Sequence, residues 1–211
     1  MTTAGQITSG LRAALSRPWI YDVLQNLLGG KSARTEYAHD FIRATNGMRV
    51  LDLGCGTAQI LSFLPAGVDY WGYDVSADYI EAAAARFGAR GHFRRGIPDE
   101  STIGNMAPFD LAIATGVLHH LDDESARQLL RVARHAVREG GRFVSIDPVF
   151  VARQHPVARL LIAKDRGQNV RDPDAYLALA REEFGIVEGT IRHRSWVPYT
   201  HWIMECVALP R

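Results

Sequence analysis

Apolar positions along the chain fall into two rhythms. Between residues 11 and 28 they recur at helical spacing, at Leu11, Ala14, Leu15, Trp19, Ile20, Val23, Leu24, Leu27 and Leu28. Pro18 divides this segment into two short helices, and Gly29-Gly30 closes the second. A third helix over 33–44 leads to a strand at Arg49–Leu53. The pattern then predicts a helix over 58–63, a strand over 69–73 ending at Asp74, a helix over 77–86 and a short strand at Gly91–Arg95. Residues 109–117 form a near-continuous apolar run, which fits a parallel strand buried on both faces. An amphipathic helix follows, with Leu121, Leu129, Leu130, Val132, Ala133, Ala136 and Val137 on one face. Asp122 or Asp123 caps its start, and Glu139-Gly140-Gly141 ends it. A strand over 142–147, helices over 156–163 and 172–180 and two alternating strands over 186–193 and 200–209 complete the chain. Strands alternating with helices predict an α/β protein with right-handed crossovers.

The turn after the first strand reads Asp52-Leu53-Gly54-Cys55-Gly56-Thr57-Ala58. Gly54 and Gly56 permit positive φ and close approach of a ligand. The helix behind them offers unpaired N–H groups. Such turns hold nucleotide-like ligands at the carboxyl ends of parallel strands. A dinucleotide fingerprint requires a third glycine where Gln59 stands, which disfavours a nicotinamide dinucleotide. Asp52 at the mouth suits a cationic ligand better than a pyrophosphate. Asp74 ends the second strand, where a carboxylate accepts hydrogen bonds from both ribose hydroxyls. Ser76 is then available to cap the next helix.

The run from Asp52 to Ala58 resembles the first motif of class I S-adenosyl-L-methionine (SAM)-dependent methyltransferases, with Ala58 at the usual third glycine. The stretch from Phe109 to Asp123, containing Thr115-Gly116-Val117-Leu118-His119-His120, is similar to the fourth-strand motif of small-molecule methyltransferases of the ubiquinone-pathway type. The resemblance covers about residues 45–147. It implies a Rossmann-like, doubly wound, seven-stranded and mostly parallel sheet with a closing antiparallel strand and an N-terminal helical cap. It also implies cofactor contacts from Asp52, Gly54, Cys55 and Gly56, ribose contacts from Asp74, adenine packing by Val75, and a cofactor wall at Thr115 and Gly116. Ile97 stands where the family often places an acid near the adenine amino group.

The reaction implied is methyl transfer from a sulfonium to an O, N or C nucleophile of a small molecule, in secondary or cofactor metabolism. A hydroxyl nucleophile needs a proton acceptor, and an imidazole suits that at neutral pH. His119 and His120 are the catalytic candidates. Adjacent residues leaving a strand point different ways, so one of them faces the pocket. Asp147, Arg171, Tyr176 and His201 fall on the expected substrate side. Arg171 either orients a polar substrate or braces the insertion with an aspartate. The expected divisions are a helical lid over 1–45, a SAM-binding core over 46–147, a substrate-cover insertion over 148–185 and a C-terminal hairpin over 186–211. The rival readings are a non-catalytic SAM-binding module and a methyltransferase acting on protein.

Composition narrows this picture modestly. The chain has 211 residues, enough for one domain with a full core. A net charge of +1 gives no electrostatic case for nucleic acid or an anionic membrane as partner. Cys55 and Cys206 make no disulfide framework and read as packing residues in a reducing compartment, with the cytoplasm as default. No apolar run approaches the ~20 residues of a membrane span. Converging carboxylates for a metal are not evident, so no metal is expected.

Overall fold

Strand β1 (Arg49–Leu53) pairs in parallel with β2 (Asp69–Asp74) on one side and β4 (Phe109–Thr115) on the other. This divergence positions everything else. In this computed structural model, which describes residues 31–106, 108–164, 167–194 and 198–210, seven strands form one sheet in the order β3-β2-β1-β4-β5-β7-β6. Strand β3 (Gly91–Arg95) pairs in parallel with β2, and β5 (Val137–Pro148) with β4. Strand β7 (Tyr199–Val207) runs antiparallel to both β5 and β6 (Ile186–Arg194), so six strands are parallel and one is reversed. The fold is therefore the doubly wound α/β sheet expected, with its switch point between β1 and β4, where ligands bind such sheets.

Side-chain alternation along the strands supplies two apolar layers. Leu51, Leu53, Ala112, Ala114 and Phe143 face helices α4 (Asp123–Ala136) and α6 (Pro173–Arg181), meeting Ala126, Leu130, Ala133, Tyr176 and Leu179. Val50, Leu111, Ile113, Val144 and Ile203 face the other way, onto Tyr37, Phe41 and Ile42. Those three belong to a wider π-helical stretch, Tyr37–Ile42, which continues α1 (Lys31–Glu36). The guanidinium of Arg142 donates to the carbonyls of Phe41 and Ile42, satisfying the exposed end of that helix. The two helices expected within 11–28 lie outside the described residues.

Two local expectations need correction, and one short helix left no mark in the sequence. The helix after the glycine turn is a short 3-10 segment, Gln59–Phe63. A five-residue helix, α3 (Glu100–Gly104), buries only Ile103 and left no periodic signal. Gly140-Gly141 does not end a helix. It lies inside β5, which begins at Val137, and Gly140 has φ +70° where the β4–β5 register shifts. The amphipathic helix expected after Asp122 or Asp123 is α4, with Asp122 as its cap, and a 3-10 turn, Leu118–His120, precedes it. Helices α2 (Ala77–Phe87) and α5 (Pro156–Ala163) stand close to where the periodicity put them. No helix among the described residues is long and apolar enough to cross a membrane.

Candidate active site

The glycine turn is built differently from a simple anion cradle. Gly54 has φ +79°, and a Cβ there would meet Val117 Cγ2 at 2.6 Å, so its bareness admits a protein side chain. Gly56, at φ +54°, has open space on that side. The amides are engaged within the protein: Gly54 N and Cys55 N both donate to Tyr73 O, and Gly56 N donates to Asp74 Oδ2 at 2.9 Å. The expectation of unpaired N–H groups at this turn is thus corrected, because the following helix is too short and the turn is tied to the end of β2. Ala58 adopts the left-handed conformation that the usual third glycine would take, with φ +53°. Cys55 is a free, half-buried thiol packed against Gly72.

Asp74 accepts two backbone N–H groups, one on each oxygen: Gly56 N on Oδ2 and Ser76 N on Oδ1. Ser76, not Asp74, caps α2, accepting from Tyr79 N. The turn and the end of β2 are thereby locked together at a carboxylate that retains acceptor capacity, since an ionised carboxylate offers about four lone-pair sites. Val75 is 61% exposed and Ile97 is 70% exposed. They follow the ends of neighbouring strands, where Asp74 pairs with Arg95, so two bare apolar side chains flank Asp74. Asp52 is not at the mouth. It is buried, accepts the Tyr70 hydroxyl on Oδ2, and has no hydrogen-bond partner on Oδ1 among the described residues. Burial pushes its carboxyl up to about 7, the Tyr70 hydroxyl opposes this, and the charge of Asp74 adds to it.

Thr115 and Gly116 end β4, with Gly116 at φ +69°. Beyond them His119, 5% exposed, sets Nδ1 2.8 Å from Asp147 Oδ1, and its backbone N–H donates to the same oxygen. Asp147 is fully buried near the end of β5. The carboxylate assigns the proton to Nδ1. The ring Cε1 lies 3.7 Å from where a Cβ on Gly116 would be, and Cδ2 lies against Gly167, whose absent Cβ would fall 2.0 Å from it. Nε2, between those two carbons, is directed between the two glycines. His120 is half-buried, its ring centroid 4.0 Å from that of His119.

The insertion residues expected to grip a substrate serve the chain itself. Every nitrogen of the Arg171 guanidinium is engaged: Nη1 on Leu118 O and Asn169 O, Nη2 on Leu121 O and Asp123 Oδ1, and Nε on Asp123 Oδ1. Tyr176 is buried, donates to Pro148 O at 3.0 Å, and lies under the Arg171 guanidinium. Asp147 pairs with Trp202 across the β5–β7 ladder, so neighbouring His201 projects from the opposite face of the sheet. Of the four substrate candidates, Asp147 meets a catalytic candidate, His119. Sequence reasoning missed Tyr70 as the partner of Asp52, and Gly167 as the residue seated on His119. Nothing in the spacing of either residue marks the contact.

Residues 51–143 match the family described as a methyltransferase domain. Polyketide synthase ThaG of Burkholderia thailandensis is 40% identical over 121 residues, which is 51% of this chain and 2% of that protein. An uncharacterized methyltransferase of Anoxybacillus flavithermus is 28% identical over 128 residues, 58% of this chain and 57% of the relative. The chain thus spans 57% of one curated relative and a small fraction of the other. Among solved structures, the S-adenosylmethionine-dependent methyltransferase SibL in its apo form superposes with a TM-score of 0.69 at 22% identity, over 96% of this chain and 60% of that one. Residues 51–143 thus match a methyltransferase domain, and the seven-stranded sheet is the one that the motifs at Asp52 and Phe109 implied.

The cofactor of that class is SAM, and the residues present fit it. Val75 and Ile97 are exposed apolar surfaces for an adenine beside Asp74. Asp52 keeps a buried carboxylate oxygen without a partner among the described residues, next to the glycine turn, a place for positive charge.

Proposed function

We propose that the chain transfers a methyl group from SAM to a nucleophile of a small molecule in secondary metabolism, with His119 as proton acceptor and Asp147 as the group that orients it. One observation carries this reading. The His119 ring is held by Asp147 on one side and lies against Gly116, at the end of β4, on the other. That puts a basic nitrogen at the switch point of the sheet, on the same edge as Asp74.

When bound, SAM supplies a methyl group that is already activated. The chain's own residues then have three tasks. Val75 and Ile97 would hold the adenine, and Asp74 would take the ribose hydroxyls. Asp147 keeps the proton on Nδ1 of His119, so Nε2 carries the lone pair and accepts a proton from the nucleophile. The loop around Gly167 and the rest of the 148–185 insertion enclose the substrate and hold it in line at ~3–3.5 Å, which contributes several kcal/mol to rate. The 40% identity with a polyketide synthase over 121 residues supports an oxygen or carbon nucleophile on an acyl-derived substrate.

The test is thermal unfolding with S-adenosylhomocysteine, with NAD as control. A ligand at 100 times its Kd stabilises by ~2.7 kcal/mol. Stabilisation by S-adenosylhomocysteine alone, lost in Asp74→Ala, is expected. Stabilisation by NAD, or by neither, overturns the reading. Labelled methyl from SAM should then enter the small-molecule fraction of an extract. Label in the protein fraction would instead make the substrate a protein, and label in neither would leave a binding module.

A further inference from the structure

Behind the His119–Asp147 pair lies polar chemistry that the proposed reaction does not use. Ser145 and Asp147 stand two residues apart on β5, so their side chains leave the same face. Both are fully buried, and neither Ser145 Oγ nor Asp147 Oδ2 has a hydrogen-bond partner among the described residues. Trp202 opposes Asp147 directly on β7, and its indole nitrogen is also buried without a partner there. Leaving such a group unpaired in the interior forfeits the hydrogen bonds it made to water. The Trp202 ring leans over Gly189 on β6, away from β5, so the unmet polar pair on one face of one strand is Ser145 Oγ and Asp147 Oδ2, and such a pair calls for a reason.

Geometry supplies the reason. Two residues along a strand are about 6.6 Å apart. A serine hydroxyl does not bridge that gap directly, but one water with two hydrogen bonds of about 2.8 Å does. A polar site with two or three partners is where buried water resides. We propose that Ser145 is a positioning residue for the reaction: together with Asp147 Oδ2 it holds a buried water, and this fixes Asp147 so that Oδ1 stays on His119. The inference rests on reading His119 as the proton acceptor. The water's donation to the far oxygen spreads the carboxylate charge, and the imidazole feels less of it. Among the described residues, the titratable groups near the pair include His120, its ring tilted against that of His119, and Tyr176 and Tyr37, whose hydroxyls burial pushes up and so keeps neutral.

The experiment is an NMR titration of the His119 imidazole in the full chain, its signal identified by loss in His119→Gln. It is repeated in Ser145→Ala and Ser145→Thr. Ser145→Ala should move the His119 midpoint upward and reduce kcat about tenfold, with affinity for S-adenosylhomocysteine unchanged. Ser145→Thr, which keeps the hydroxyl, should restore both. Ser145→Cys, close in volume and a weak donor, gives the same readout if the alanine variant folds poorly. A crystal structure should show a water between Ser145 Oγ and Asp147 Oδ2. An unmoved His119 midpoint in both the alanine and cysteine variants, or a dry gap, overturns the proposal. A shifted midpoint in a wild-type chain that transfers no methyl group leaves the water site standing and removes only the role of His119 as base.

Discussion

Arg171 places Nη1 2.8 Å from the carbonyl oxygen of Leu118, across 53 residues of sequence. The same guanidinium reaches Leu121 O and Asp123, so it brackets the His119-His120 segment from both ends. Asn169 N adds a bond to His119 O from the same loop. The insertion is therefore a clasp on the segment that carries the candidate base, and whatever it does for a substrate acts through that clasp.

Arg171→Ala should cost stability and not substrate affinity alone. It strands buried carbonyls and a carboxylate that now accept charged hydrogen bonds, each worth ~1.5–3 kcal/mol. A loss of about 2–4 kcal/mol in urea unfolding is expected, carried by the stranded carbonyls more than by Asp123, whose side chain is exposed. Arg171→Lys should not rescue it, because an ammonium cannot serve acceptors on both sides of a planar fork. Normal unfolding with a raised KM would show that Arg171 grips substrate after all.

What the chain disclosed by pattern and what it hid have separate physical origins. The glycine turn, Asp74 and the β4 run are local devices, and their chemistry is carried by spacing. Partner choice is not local. Arg171 and Tyr176 look like substrate ligands in sequence because an arginine and a tyrosine after β5 could face either way. Only packing against Leu118 and Pro148 decides. His201 differs from Trp202 by one residue, and that step puts it on the other face of the sheet. Gly140-Gly141 reads as a helix stop, yet here it serves a shift in strand register. Asp52 reads as a mouth residue until Tyr70 is seen to cover it.

Gly72 and Cys55 should behave as a coupled pair. A Cβ on Gly72 would meet Cys55 Sγ at 2.8 Å and Cys55 Cβ at 3.1 Å. Gly72→Ala overpacks the underside of the glycine turn, at ~1–3 kcal/mol. Cys55→Ala in the same chain removes the sulfur and should recover most of that loss, giving a favourable coupling in a double-mutant cycle. Strictly additive effects would mean that the added methyl group is accommodated by Tyr70, whose ring also borders the site.

Asp52 should impress a pH dependence on the ligand-free protein. Its carboxyl is pushed up to about 7 from 3.8. The folded state therefore holds this proton more tightly than the unfolded chain. For this group stability is greatest below the unfolded value, falls as pH rises from about 4 to about 7, and is flat above. Asp52→Asn removes the titration while keeping an acceptor for Tyr70. The stability of the variant relative to wild type should therefore rise through that window, by an amount on the order of a few kcal/mol. A difference between the two proteins that stays constant from pH 4 to pH 8 would show that Asp52 titrates normally.

His119 and His120 can be separated by kinetics. Nδ1 of His119 is fixed on Asp147, and Nε2 is directed between Gly116 and Gly167, whereas His120 stacks on the ring from outside. His119→Gln preserves a planar polar side chain and should lower kcat by ~10²–10⁴, the usual worth of a positioned base, with little change in S-adenosylhomocysteine affinity. Asp147→Asn should also depress kcat, because a neutral amide no longer dictates the tautomer with the lone pair on Nε2. His120→Ala should change kcat several-fold at most. If His120→Ala abolishes turnover while His119→Gln mainly lowers Tm, the roles are reversed: the buried pair is then a brace, and the more exposed imidazole is the base.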